Sequence, residues 1–136
     1  MPDRAPAPPF GLHERRGRLN IFLPANDAPE REVVDEVITL LKGEYKGFTL
    51  STVRPVSFVG WYQGTTKDGK PLWMADQIVL VVVDSPSTIG TEDLDLEVEI
   101  IRLEIARLYQ ESGSPQQSIW IVGHEVWRAI EPGQGV

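Results

Sequence analysis

The chain has no cysteine and only two histidines among its 136 residues. The missing thiols exclude a cysteine nucleophile, a disulfide framework and a Cys-based zinc or iron–sulfur centre in one step. His13 and His124 are each followed by glutamate, and neither stands in the H-E-x-x-H spacing that sets two imidazoles on one helix face, so no metal is expected. Long apolar runs are missing as well. No segment approaches the ~20 residues that span a bilayer, and the opening MPDRAPAPPFGLHERRGRL lacks the apolar stretch of a signal peptide. Nor is there an excess of positive charge. Lys and Arg number 13 against 20 Asp and Glu, a formal charge of -7, which repels phosphate backbones and anionic lipid. A cytoplasmic protein without a nucleic-acid or membrane partner is the expectation these absences leave.

What is present suffices for one domain, since 41% of the residues are hydrophobic and can form a core. Residues 1–17 carry Pro2, Pro6, Pro8, Pro9, Arg15 and Arg16 with little periodicity. They predict an extended arm, either free or docked on an acidic partner or a neighbouring subunit. The folded domain is expected over 18–132, with a tail at 133–136. RLNIFLP reads as a strand closed by Pro24. In NDAPEREVVDEVITLLKGEY, Asn26 or Asp27 can cap a helix, Pro29 fits its first turn, and Val33, Val37, Leu40 and Leu41 recur at helical spacing, with Gly43 as a stop. GFTLSTVRPVSFVGWYQ is β-prone, with Pro55 marking a bulge or an edge. LWMADQIVLVVVD predicts a central strand, TEDLDLEVEIIRLEIARLYQESG a second helix capped by Thr91 and ended by Gly113, and QQSIWIV a fourth strand that HEVWRAI extends with a possible short fifth. The order β-α-β-β-α-β predicts a ferredoxin-like α+β fold, an antiparallel sheet with both helices on one face.

GTTKDGKPLW, Gly64 to Trp73, reads G-x-x-x-x-G-K followed by proline. A phosphate-binding loop needs Ser or Thr in place of Pro71, and it leaves a strand to enter a helix; this turn leaves one strand to enter another. Asp68-Gly69 between β-prone segments is a hairpin signal, because glycine accepts the positive φ such turns require. Trp61, Tyr62 and Trp73 bracket Thr65, Lys67 and Lys70, setting aromatic faces beside two amines on an exposed tip. That tip is a candidate ligand or partner site. The same aromatics would also serve as cross-strand pairs that stiffen the hairpin.

A βαββαβ unit covers one sheet face with helices and leaves the other bare. The third long strand offers Ile78, Leu80 and Val82 to one face and Val79, Val81 and Val83 to the other, and the last strand offers Ile119 and Ile121 against Trp120 and Val122. Both faces are apolar, which predicts burial of the second against another copy or another protein. The second helix repeats the pattern. Leu94, Val98, Ile101, Ile105 and Leu108 form an inner stripe, and Leu96, Ile100 and Leu103 an outer one about 180° around, an expected interface unless the arm or the C-terminal segment covers it.

The order strand, helix, strand, long hairpin, strand, helix, strand and final HEVWRAIEPG, over about Leu19 to Gly133, resembles PII-like signalling proteins. The resemblance implies trimers whose sheets face one another and whose loop between strands two and three contacts targets in response to nucleotides. The family's T-G-x-x-G-D-G-K phosphate loop before the last strand is replaced by ESGSPQQS, Glu111 to Ser118; Arg128 alone stands where a family arginine is expected. Architecture and assembly are thus implied without the nucleotide. The expected function is a non-catalytic, cofactor-free binding or regulatory module, a homo-oligomer (dimer or trimer) or the complement of another protein. One alternative is a small enzyme with a pocket at His124, Glu125 and Arg128, in which Glu125 orients a general-base imidazole. The other is an accessory subunit of a larger assembly.

Overall fold

A computed structural model describes residues 12–85, 91–116 and 119–130. Five strands and two helices follow in the order β1 (Leu12–Pro24), α1 (Ala28–Glu44), β2 (Phe48–Leu50), β3 (Phe58–Thr65), β4 (Pro71–Asp84), α2 (Thr91–Glu111) and β5 (Trp120–Ile130). All pairings are antiparallel. β4 and β1 are central, β5 borders β1, and β2 and β3 share the other edge along β4. This is the ferredoxin-like split βαβ that the order of elements predicts.

The core forms where the period-two pattern of the strands meets the inner stripes of the helices. Leu19, Ile21 and Leu23 of β1 lie opposite Val83, Val81 and Val79 of β4, and all six are fully buried. Val33, Val34, Val37 and Leu41 of α1 and Leu94, Ile101, Ile105 and Tyr109 of α2 close over them. Both helices therefore lie on one face. α2 comes close because two glycines let it: a Cβ on Gly17 would stand 2.8 Å from Leu94 Cδ1, and one on Gly123 2.8 Å from Val98 Cγ2.

Local signals set most boundaries. Asp27 caps α1, its carboxylate accepting from the Glu30 N–H at 2.9 Å. α2 ends in a Schellman arrangement: Gly113 takes φ +82°, and Ser114 N–H donates to the Tyr109 carbonyl at 3.0 Å. The residue before Thr91, where a cap would stand, lies outside the described residues.

Four boundaries differ from expectation. α1 runs through Gly43 to Glu44, because Tyr45 is buried and its N–H closes the last turn on the Leu41 carbonyl at 2.8 Å. β1 begins at Leu12, inside the stretch expected as an arm, since its first residues pair with the end of β5. HEVWRAI continues β5 instead of forming a separate strand. The fifth strand arises in GFTLSTVRPVSFVGWYQ, which splits into β2 and β3 around a turn with a cis Arg54–Pro55 bond, tied to α1 by Arg54 and Asp35 at 2.9 Å.

Candidate functional site: a cleft on the open sheet face

β4 is longer than the helices can cover. Its second half, from Ile78, is held between β1 and the β2–β3 edge, whereas its first half pairs with β3 alone and projects as a hairpin. The turn is the one Asp68-Gly69 predicts: Gly69 takes φ +78° and donates its N–H to the Thr66 carbonyl at 2.9 Å, and Thr66 Oγ1 accepts from the Lys70 N–H at 3.1 Å. Lys70 is followed by a strand, where a phosphate-binding loop would enter a helix.

On the face away from the helices, the base of this hairpin and the start of β5 frame a cleft of about 700 Å³, inside the roughly 300–1,000 Å³ range of small-ligand sites. Cross-strand register puts Phe22 beside Trp120, and Gly60 beside Asp76, on this open face. Ile78 and Val122 line the apolar part, Tyr62 and Trp120 stand at its sides, and Gln63, Asp76 and Gln116 supply polar groups. A Cβ on Gly60 would stand 3.3 Å from Ile78 Cγ1, so the missing side chain lets Ile78 lie against β3 in the floor of the cleft.

The polar end is anchored by a network at the β1–α1 corner. Asp76 Oδ1 accepts from Asn26 Nδ2 at 2.9 Å, and Asn26 Oδ1 accepts from the Gln77 N–H at 2.8 Å. Gln116 Nε2 donates to Glu30 Oε2 at 2.8 Å, while Glu30 Oε1 accepts from the Asn26 N–H at 2.7 Å. Glu30 is buried, and two donors satisfy its carboxylate. Beneath it, Tyr109 donates its hydroxyl to the Pro24 carbonyl at 2.7 Å, and burial pushes its phenol well above the usual range. The side chains at one end of the cleft are thus fixed from the core outward.

The sequence-derived candidates divide around this cleft. Tyr62 lines it and shares the open face with Met74, whereas Thr65, opposite Pro71, and Trp73, opposite Gln63, alternate to the other side of the hairpin. Trp61 lines the cleft from the position next to Tyr62 and is 68% exposed; Lys67 and Lys70 stand exposed at the tip, away from it. His124 is exposed and lies opposite Arg18 in the β1–β5 register. Glu125, the next residue in an extended strand, leaves by the helix face, so it does not orient the imidazole. Its two carboxylate oxygens are buried without a hydrogen-bond partner among the described residues. Arg128 lies opposite Glu14 along the backbone. His124 and Glu125 thus leave β5 by opposite faces, and the cleft lies further toward the start of β5.

Leu96, Ile100 and Leu103 are exposed along the outer side of α2, while Leu94, Ile101 and Ile105 are buried, as the two stripes predict. Sequence reading did not find Phe22, Asp76 or Gln116. Asp76 carries a local signal, an acid in the middle of a strand whose only other charge is Asp84 at its end, but its partner Asn26 comes from another part of the chain. No helix among the described residues is long and apolar enough to cross a membrane.

No protein-family model and no curated protein matches the chain. Among solved structures, it is similar to a phage SAM lyase in the apo state, at 14% identity and TM-score 0.47 over 97% of this chain and 100% of the other. A phage SAM lyase in complex with S-methyl-5'-thioadenosine matches at 13% identity and TM-score 0.44 over 79% and 88% of the two chains. A PII-like signalling protein of Thermus thermophilus matches at 20% identity and TM-score 0.34 over 86% and 91%.

Proposed function

We propose that the protein is an oligomeric binding module of PII-like architecture, without intrinsic catalysis, whose open sheet face is covered by a second copy and whose cleft holds a small ligand at that contact. The observation that carries the proposal is the open face itself. Phe58, Leu72, Met74, Trp120 and Val122 are all at least two-fifths exposed on or beside it, next to Ile78, Leu80 and Val82. Large apolar side chains gathered on one exposed sheet face, with Asn20 between Val82 and Val122, are the make-up of an interaction surface. A closed homo-oligomer needs only one self-complementary patch, so a second copy is the simplest cover. The outer stripe of α2 is a separate surface and serves either the same assembly or another protein.

Light scattering on the full chain tests this. The expected mass is a small multiple of one chain, and Leu72→Asp with Val122→Asp lowers it to one chain without loss of secondary structure. Leu96→Asp with Ile100→Asp, measured in the same way, decides whether the α2 stripe takes part. A wild-type protein that runs as a single chain at micromolar concentration refutes the oligomer.

A further inference from the structure

The charge inside the cleft has one sign. Among the described residues, Asp76 is the only charged one that lines it; no lysine, arginine or histidine does. Its carboxylate is held through Oδ1 by Asn26, and among the described residues nothing donates to Oδ2. The aromatic side chains of Phe22, Tyr62 and Trp120 line the same cleft as this carboxylate, and Gly60, opposite Asp76 in the β3–β4 register, adds no side chain of its own. Aromatic faces attract cations through their quadrupoles, and a carboxylate beside them adds a point charge of the same preference. The net charge of -7 draws cations toward the surface and repels phosphates and carboxylates. We propose that the cleft takes a small organic cation with an apolar or aromatic body, its positive centre at Asp76 and its body between Tyr62 and Trp120. This rests on the cleft being a ligand site, as proposed above, and adds the chemical class of the occupant.

Three probes that share a ring and differ in charge test it: benzyltrimethylammonium, benzyl alcohol and benzoate, titrated against the full chain and followed by the indole N–H resonance of Trp120, assigned with Trp120→Phe. The expected order of affinity is cation, neutral, anion. Asp76→Asn retains an oxygen for Asn26, so the corner stays closed; it lowers affinity for the cation about fivefold and leaves benzyl alcohol unchanged. Tyr62→Ala, at the other aromatic side of the cleft and 43% exposed, weakens all three while leaving the Trp120 indole as the readout. Binding of all three without charge preference, or a preference that Asp76→Asn does not alter, overturns the cation assignment while the cleft remains a ligand site. Failure of all three to move the Trp120 resonance overturns the ligand site together with its occupant.

Discussion

Tyr109 shows how far one side chain can lie from anything its neighbours in sequence announce. The inner stripe read from the sequence ends on Leu108, whereas Tyr109 is the fully buried residue, and the Pro24 carbonyl it serves belongs to an element 85 residues away. Tyr109→Phe leaves that buried carbonyl without a donor and is expected to cost about 1–2 kcal/mol, read as a lowered melting temperature. Ionisation gives a second readout. Burial raises the Tyr109 phenol, and burial followed by the Glu97 carboxylate raises that of Tyr45, both from the ordinary value of 10.0. Above pH 10 the unfolded chain sheds these protons while the folded chain keeps them, so stability is fully present below that pH and falls as pH rises further. Alkaline unfolding is expected to begin near there, and the Tyr109→Phe protein to lose less stability over the same interval. Equal slopes for both proteins would show that Tyr109 is not the group responsible. Glu30 is hidden in the same way. In sequence it is a favourable acid at a helix start, and only the fold reveals that it links Asn26 to Gln116.

Among the elements, those set by local chemistry were legible and those set by distant partners were not. Asp68-Gly69 announces its hairpin because the turn is made by adjacent residues, and α1 and α2 announce themselves by spacing and caps. The start of β1 gives no such signal: HERRGR has no apolar alternation, and its partner is the last described stretch of the chain. The length of β5 is hidden for a related reason. Gly123 reads as a break between two short strands, whereas it is the point where α2 descends onto the sheet. A Cβ there would meet Val98 Cγ2 at 2.8 Å and Leu94 Cγ at 3.3 Å, so Gly123→Ala forces both side chains aside and is expected to cost about 1–3 kcal/mol. Gly47, with nothing within 4 Å of such an atom, is the control, and Gly47→Ala is expected to leave the denaturation midpoint nearly unchanged. Similar losses at both positions would show that close approach at Gly123 is not what matters.

For the molecule as a whole, the apolar pattern foretold two surfaces beyond the core, and both are exposed. It did not foretell the cleft, because an alternating strand reveals which residues share a face but not which strands border one another across a gap: Phe22, Tyr62, Asp76 and Trp120 come from four strands. The division of β4 has a kinetic consequence. From Ile78 to Asp84 its amides lie between strands and under the helices, and Gln77 is tied to Asn26, whereas from Leu72 to Ala75 they face β3 alone. Amide hydrogen exchange is expected to change abruptly along this single strand, with protection at Val79, Val81 and Val83 set by global unfolding and that at Leu72 to Ala75 by a local opening of much smaller free energy. Uniform protection along β4 would mean that the hairpin is as firmly held as the core. With the expected step, Ile78 acts as a hinge: the apolar floor of the cleft stays fixed on the slow half while Tyr62, on the β3 arm of the hairpin, moves with the fast half, so the width of the cleft changes without any part of the core coming apart.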